Sequence, residues 1–386
     1  MEIYLDNSAT TKPSKSAIEA MNNAMEKIYG NPSSLHRKGM DAEKIVRDAR
    51  ESIAKFINAE PCEIVLTSGG TESNNLGIRG FLERNPRLGS NILTTSIEHP
   101  SVMNLFGFLE RDYGNMLVPV DSNGFVAIED VKRNIDSNTA LVSVMAVNNE
   151  IGSIQPIMEI GKAVKESNPN TAFHVDCVQA FGKMEIDVKK MKIDLLSGSG
   201  HKFHGPKGIG FLYKRKGIKI SPLFYGGNQE SGFRSGTENV PAIAGMGAAV
   251  CEMMESKDTN RRKMENYKSR LIEGLKKNMT DCMILSEGAG YSPNIVNVCF
   301  KDVRAEVLLH SLENDGIFVS SGSACSSKKK GNSHVLEAIR VPKEYIGGAV
   351  RISFTWENNL EEIAFLINSL KKNVEEIRKI IKGKGR

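Results

Sequence analysis

The stretch SSGSACSSKKKG, Ser320 to Gly331, sets one thiol, Cys325, among serines, glycines and then three lysines. A cysteine kept for packing sits among apolar neighbours, and none of these residues can bury it. The thiol therefore reads as a reagent. At its ordinary pKa about 3% of it is thiolate near neutral pH. Lys328, Lys329 and Lys330 raise that fraction by charge proximity, to the extent that solvent screening allows. Glycine and serine give such a loop reach, so one thiol can visit both a buried site and an outside acceptor. The remaining cysteines, 62, 177, 251, 282 and 299, form no CxxC pair and no zinc spacing, and read as small packing residues.

Four further positions follow apolar runs. In VLTSGGTESNN a Ser-Gly-Gly-Thr turn leads into a helix starting near Thr71. Backbone N–H groups and the dipole at such a start attract a phosphate, and glycines let the backbone come close; the alternative is a helix cap with no ligand. The motif is neither a Walker P-loop nor a dinucleotide glycine fingerprint. In TAFHVDCVQAFGK, Asp176 closes an apolar run, where a carboxylate needs a cationic or hydrogen-bonding partner or serves as a cap. In DLLSGSGHKFHGPKG, Lys202 lies in a Ser/Gly/His turn rather than on a solvated face, and a desolvated lysine can form a Schiff base. His201 and His204, without a carboxylate at matching spacing, make poor metal ligands, so no metal is expected. In TSIEHPSV, His99 follows a strand, as a structural residue or as a ring that stacks on a ligand. A phosphate cradle, an acid for a ring nitrogen, a Schiff-base lysine and a stacking ring together describe pyridoxal 5'-phosphate.

What must position these residues is a set of short apolar runs alternating with helical patterns: EIVLTS, NILTTS, MLVPV, TALVSVMAV, TAFHVD, DLLSGS and GIGFLY. That alternation predicts an α/β fold with a mostly parallel central sheet flanked by helices, binding its ligand at the carboxyl ends of the strands. SKSAIEAMNNAMEKIYGNP reads as a helix closed by Gly30, and DAEKIVRDARESIAKFIN as a second. Past Val240 a long helical stretch leads out of the sheet region, followed by PNIVNVCF, RAEVLLHSLENDG, the cysteine loop, AVRISF and an amphipathic helix. Residues 15–255 are expected to form the large cofactor-binding domain, and 1–14 with 256–386 a smaller α+β domain carrying the cysteine loop.

The chain has 386 residues and a net charge of +5, too little to suggest nucleic acid or a membrane surface as partner. The basic end IRKIIKGKGR reads as a solvated helix end rather than an RNA contact. The opening MEIYLDNSATTKP lacks the apolar core of a secretory leader, and no run approaches a membrane span, so a cytoplasmic, reducing setting is expected.

Nine collinear blocks, YLDNSATTKP, NPSSLHRKG, TSGGTESNN, EHPSV, NNEIGSIQPI, HVDCVQAFGK, SGSGHKFHGPKGIG, RSGTENV and SSGSACSS, run through nearly the whole chain. In them the sequence resembles the cysteine desulfurases, class V aminotransferase relatives with the fold-type I architecture, in the subgroup with a long mobile cysteine loop. The resemblance implies that Lys202 carries the cofactor and then moves the substrate proton, that Asp176 pairs with the ring nitrogen, that His99 stacks on the ring and is a catalytic residue assisting Lys202 with the proton, and that Gln179 meets the phenolic oxygen with Asn149 beside it and the substrate. It implies that Gly70, Thr71, Ser199 and His201 hold the phosphate, and that Thr237 reaches the phosphate of a neighbouring subunit, hence a homodimer. Arg351 would clamp the carboxylate of L-cysteine. Cys325 would take its sulfur as a persulfide, release alanine, and pass the sulfur to an acceptor protein of iron–sulfur cluster assembly, tRNA thiolation or the thiamin pathway. Gly200 stands where many relatives have alanine. A selenocysteine lyase or another class V aminotransferase shares all of this except the need for Cys325.

Overall fold

The computed structural model describes residues 2–321 and 333–383. All seven apolar runs are strands of one sheet, ordered Ile64–Thr67, Gly210–Lys214, Leu195–Ser199, Ala172–Asp176, Thr139–Met145, Asn91–Thr95, Gly114–Val118. Gly210–Lys214 runs antiparallel to both its neighbours and every other pair is parallel. Two reversals restore direction, so Thr67, Ser199, Asp176, Met145 and Thr95 all finish at the same sheet edge. The central strands are buried along their whole length, as helix-covered parallel strands must be.

Close approach fixes the first of these edge turns. Gly69 has φ +149°, and a Cβ on Gly210 would lie 2.6 Å from the Gly69 Cα. Only glycine at both positions lets the turn after Thr67 pack on the neighbouring strand. The helix Gly70–Arg84 starts directly from this turn.

The first helix spans Lys15–Glu26, capped by Ser14, whose hydroxyl accepts from the Ala17 N–H. It ends before Gly30, so Gly30 is not its cap. The glycine is needed for another reason: a Cβ there would sit 2.1 Å from the Lys38 carbonyl oxygen of the second helix, Arg37–Phe56.

A second apolar cluster lies beyond the sheet. It combines Ile3 and Leu5 with Leu271, Val298, Phe300, Leu308, Ile352 and Leu366. The N-terminal strand Ile3–Tyr4 pairs in parallel with Ile317–Phe318. A four-stranded antiparallel sheet orders Ser320–Ser321, Ala349–Ser353, Ile295–Phe300 and Cys282–Ile284. The helix Val240–Asn278 is continuous through both regions: Ile243, Met246 and Val250 pack in the large core, Tyr267, Leu271 and Leu275 in the second. Among the described residues, no helix is long and apolar enough to cross a membrane.

Candidate active site

Asp176 ends its strand and is 4% exposed. Its Oδ1 accepts from the Val178 N–H at 2.9 Å and its Oδ2 from the Asn74 amide at 2.8 Å. Beside it, Lys202 follows the Leu195–Ser199 strand in a short 3₁₀ turn, and its Nζ donates to the Ser8 and Ala9 carbonyls at 2.6 and 2.8 Å. Gln179 donates from Nε2 to the same Ser8 carbonyl at 2.9 Å, while its Oε1 is buried without a partner.

Gly70 and Thr71 are the first residues of the helix after the glycine turn, so their N–H groups precede its hydrogen-bond ladder. Ser199 and His201 lie across from them and line the same shallow recess. The His201 Nδ1 meets the Thr10 hydroxyl at 3.1 Å. Burial, reinforced by Lys202, Lys207 and Lys183, holds its pKa down at about 4, so the imidazole is neutral at physiological pH.

His99 caps the helix Pro100–Leu109 and accepts at Nδ1 from the Ser101 N–H at 3.1 Å. Its pKa lies below the usual value because of burial; Asp176 opposes the shift, and Lys202 and His334 add to it.

Arg351, 4% exposed, comes from the other sheet. Its Nη1 donates to the Asn149 carbonyl at 2.9 Å, its Nη2 to Asp6 Oδ1 at 2.7 Å, and its Nε is buried with no partner among the described residues. Next to Asn149, Glu150 accepts from the Ser333 hydroxyl at 2.5 Å. Burial raises the Glu150 pKa to about 7 against the lowering pull of Ser333 and Arg351.

These groups share one cavity of about 270 Å³. Of the residues singled out from sequence, it brings together Gly70, Thr71, His99, Asn149, Asp176, Gln179, Ser199, His201, Lys202 and Arg351. Thr237 is not among them: within one chain it lines a separate recess with Arg234, Gly236 and Asn239. Cys325 and Lys328 to Lys330 lie outside the described residues. The described chain stops at Ser321 and resumes at Ser333, beside Arg351 through the Ser320 pairing and beside Glu150 respectively.

The sequence reading missed Asn74, Ser101, Glu150, His334 and the Ser8 and Ala9 carbonyls. Asn74, Ser101, Ser8, Ala9 and Glu150 sit inside the motif blocks, and Pro100 at the first helical position marks the helix start that turns His99 and Ser101 toward each other. His334 had no such signal.

The cavity fits a phosphorylated pyridine aldehyde. It offers an amine, a carboxylate at the end of a strand, an imidazole face, a helix start with Ser199 and neutral His201 for a phosphate, and a buried acceptor, Gln179 Oε1, still lacking a donor.

The class V aminotransferase family model matches residues 3–366. A cysteine desulfurase IscS of Clostridium botulinum is 42% identical over 382 residues, covering 98% of this chain and 96% of that protein. A cysteine desulfurase IscS of Methanosarcina thermophila is 43% identical over 377 residues, covering 97% and 93%. Among solved structures, a NifS-like protein superposes with a TM-score of 0.92 at 37% identity, over 97% of this chain and all of that one. A structure described as SspA in complex with cysteine gives 0.81 at 34% identity, over 92% and 99%.

Proposed function

The chain belongs to the class V aminotransferases and, within them, to the pyridoxal-phosphate-dependent cysteine desulfurases, and from that premise we propose the residue roles, the route of the sulfur and the assembly. L-Cysteine binds with its carboxylate on Arg351. Its sulfur moves to the Cys325 thiolate as a persulfide, alanine leaves, and the sulfur passes to an acceptor protein: an iron–sulfur scaffold, a tRNA-thiolation protein or a thiamin-pathway carrier.

The observation that carries this reading is Arg351. A guanidinium buried at the cavity wall keeps its Nε without an acceptor among the described residues while Asn149 and Asp6 engage the other nitrogens. An unmet charged donor of this kind suits an incoming carboxylate, held by a planar fork that lysine cannot reproduce.

Pyridoxal phosphate, when bound, supplies an aldehyde for the amino group and a ring that takes up electron density from the α-carbon. The Lys202 amine, steadied by two carbonyls, is placed to take and return the α-proton. The Asp176 carboxylate, fixed by the Asn74 amide and the Val178 N–H, would accept a ring N–H. His99 would cover the ring, Gln179 and Asn149 would meet its phenolic oxygen, and Gly70, Thr71, Ser199 and His201 would hold the phosphate.

The assembly we propose is a homodimer in which Thr237 reaches the neighbouring subunit's phosphate; within one chain Thr237 lines a recess other than this cavity, which leaves it available for that reach. The division into 15–255 and 1–14 with 256–386 belongs to the same reading and is supported by the second apolar cluster. The reaction belongs in the cytoplasm, where thiols stay reduced.

The test is to incubate holoenzyme with ³⁵S-labelled L-cysteine, map the label, and then add candidate acceptors. Label on Cys325, alanine in equal amount, and transfer to one acceptor class support the reading. Full sulfur release by a Cys325→Ser variant would turn it toward the selenocysteine-lyase alternative.

A further inference from the structure

A chain of hydrogen bonds runs from Asp176 to His99 through two residues with no assigned role. Asn74, 1% exposed, donates from Nδ2 to Asp176 Oδ2 at 2.8 Å and to the Ser101 hydroxyl at 2.9 Å. The Ser101 hydroxyl lies 2.8 Å from His99 Nδ1, and the Ser101 N–H reaches the same nitrogen at 3.1 Å.

The direction of each bond follows from chemistry. A backbone N–H only donates, so Nδ1 must present its lone pair. The Asn74 Oδ1 is buried without a partner. Flipping that amide would set its oxygen against the Asp176 carboxylate, acceptor facing acceptor, so the NH₂ group is the one that bridges. Ser101 Oγ then accepts from Asn74, which leaves its own proton for Nδ1. Every proton in the chain is committed, and the ring's proton sits on Nε2.

We propose that Asn74 and Ser101 are positioning residues that lock His99 in the Nε2–H form, so that it serves as a neutral hydrogen-bond donor into the cavity and not as a base. Protonating the ring would place a proton on Nδ1, where two donors already converge, and would put a cation at the start of the Pro100–Leu109 helix, the positive end of its dipole. The titratable groups acting on His99 from other elements are Asp176, which favours the cation, and Lys202 and His334, which oppose it. This inference rests on the reading that His99 covers the cofactor, but the bond chain itself does not.

The test is ¹⁵N NMR of the full-length holoenzyme labelled at its 7 histidines, with the His99 signals assigned by their loss in His99→Gln. The expected spectrum shows Nδ1 as an unprotonated acceptor and Nε2 as N–H at neutral pH and above. Ser101→Ala should let the ring titrate about one pH unit higher, because the neutral form loses a donor, and the same change should appear as a new acidic limb in the pH profile of kcat. Asn74→Ala should act in the same direction, and Ser101→Thr, which keeps the hydroxyl, should restore the wild-type spectrum. A proton on Nδ1 in the wild type, or a tautomer and titration unmoved by both alanine variants, would overturn the proposal. The spectral readout needs no turnover, so a failed desulfurase assay would not be mistaken for a failed lock.

Discussion

Along one wall of the cavity, Asp176, Ser199 and the Gly70–Thr71 turn stand where strands of a single sheet end. Along the other, Arg351, Glu150 and the Ser8 and Ala9 carbonyls come from segments far apart in the chain. The first wall is held inside the large core, by near neighbours, Val178 to Asp176 and Ser101 to His99, each two residues apart, and by Asn74, which reaches Ser101 across 27 residues and Asp176 across 102. In the second, Arg351 meets Asp6 across 345 residues, Ser8 meets Ser353 across 345, and Ser333 meets Glu150 across 183. A sheet edge with fixed register makes the first wall rigid before anything binds. The second exists only when both ends of the chain have docked. The proposed division of labour follows: the rigid wall orients the cofactor, and the docked wall recognises the substrate.

Changes to the two walls should therefore fail differently. Lys202→Arg keeps a cation near the Ser8 and Ala9 carbonyls but removes the amine nucleophile. Desulfurase turnover should fall by at least about 10³-fold while the fold survives, read as alanine release alongside circular dichroism. Retained turnover would remove Lys202 from the centre of the site. On the docked wall, Arg351→Lys should raise KM for L-cysteine, lowering kcat/KM by about 10²-fold with kcat much less affected, since a lone ammonium replaces a fork. A fall in kcat at constant KM would place Arg351 on the wrong side of the comparison.

Glu98 lies under the rigid wall and gives it a pH dependence of its own, beside that of Glu150 in the docked wall. It is fully buried, with Oε1 accepting from the Thr95 hydroxyl and the Met145 N–H and Oε2 without a partner. Burial, with a smaller push from Asp176, raises its pKa to about 8. The unfolded chain gives up this proton near the ordinary carboxyl value, so between that value and about 8 the folded state binds more protons and stability falls as pH rises. Each pH unit within that window costs up to about 1.4 kcal/mol. Glu98→Gln should cancel this contribution. Its stability relative to wild type, from urea titrations, should rise by about 2 kcal/mol between about pH 5 and about pH 7. A difference independent of pH would mean that Glu98 is ionised in the fold.

The same contrast explains what the sequence disclosed. The seven strands were legible because each is a short apolar run bounded by turn residues. Asp176, Lys202 and the glycine turn were legible because a polar residue directly after such a run has to face a sheet edge. Arg351 carries no local signal in AVRISF, and only the family resemblance picked it out. The Ser8 and Ala9 carbonyls have no side-chain signature at all, since any residue supplies one. Gly30 shows how a local rule misleads: a glycine after a helical pattern looks like a cap, whereas here the space is taken by the Lys38 carbonyl. His334 reaches the cavity by long-range packing, which no window of sequence contains.

The smallest expected effect lies at the seam where the N-terminal segment docks. Ser353 is fully buried; its hydroxyl accepts from the Ser8 N–H at 2.8 Å and donates to the Leu5 carbonyl at 3.3 Å. Ser353→Ala leaves the Ser353 N–H on Leu5 at 2.7 Å, so the strand keeps its backbone tie. The Ser8 N–H, however, loses its acceptor inside the protein, which costs about 1–2 kcal/mol. Ser8 also presents its carbonyl to Lys202 and Gln179, so a looser Ser8 disturbs the rigid wall from outside. The expected result is a lower urea midpoint at unchanged m-value, with turnover reduced by less than about fivefold because Ala9 still accepts from Lys202. A loss approaching that of Lys202→Arg would show that the N-terminal segment belongs to the cofactor wall itself, and the division between a preformed wall and a docked one would have to be redrawn through Ser8.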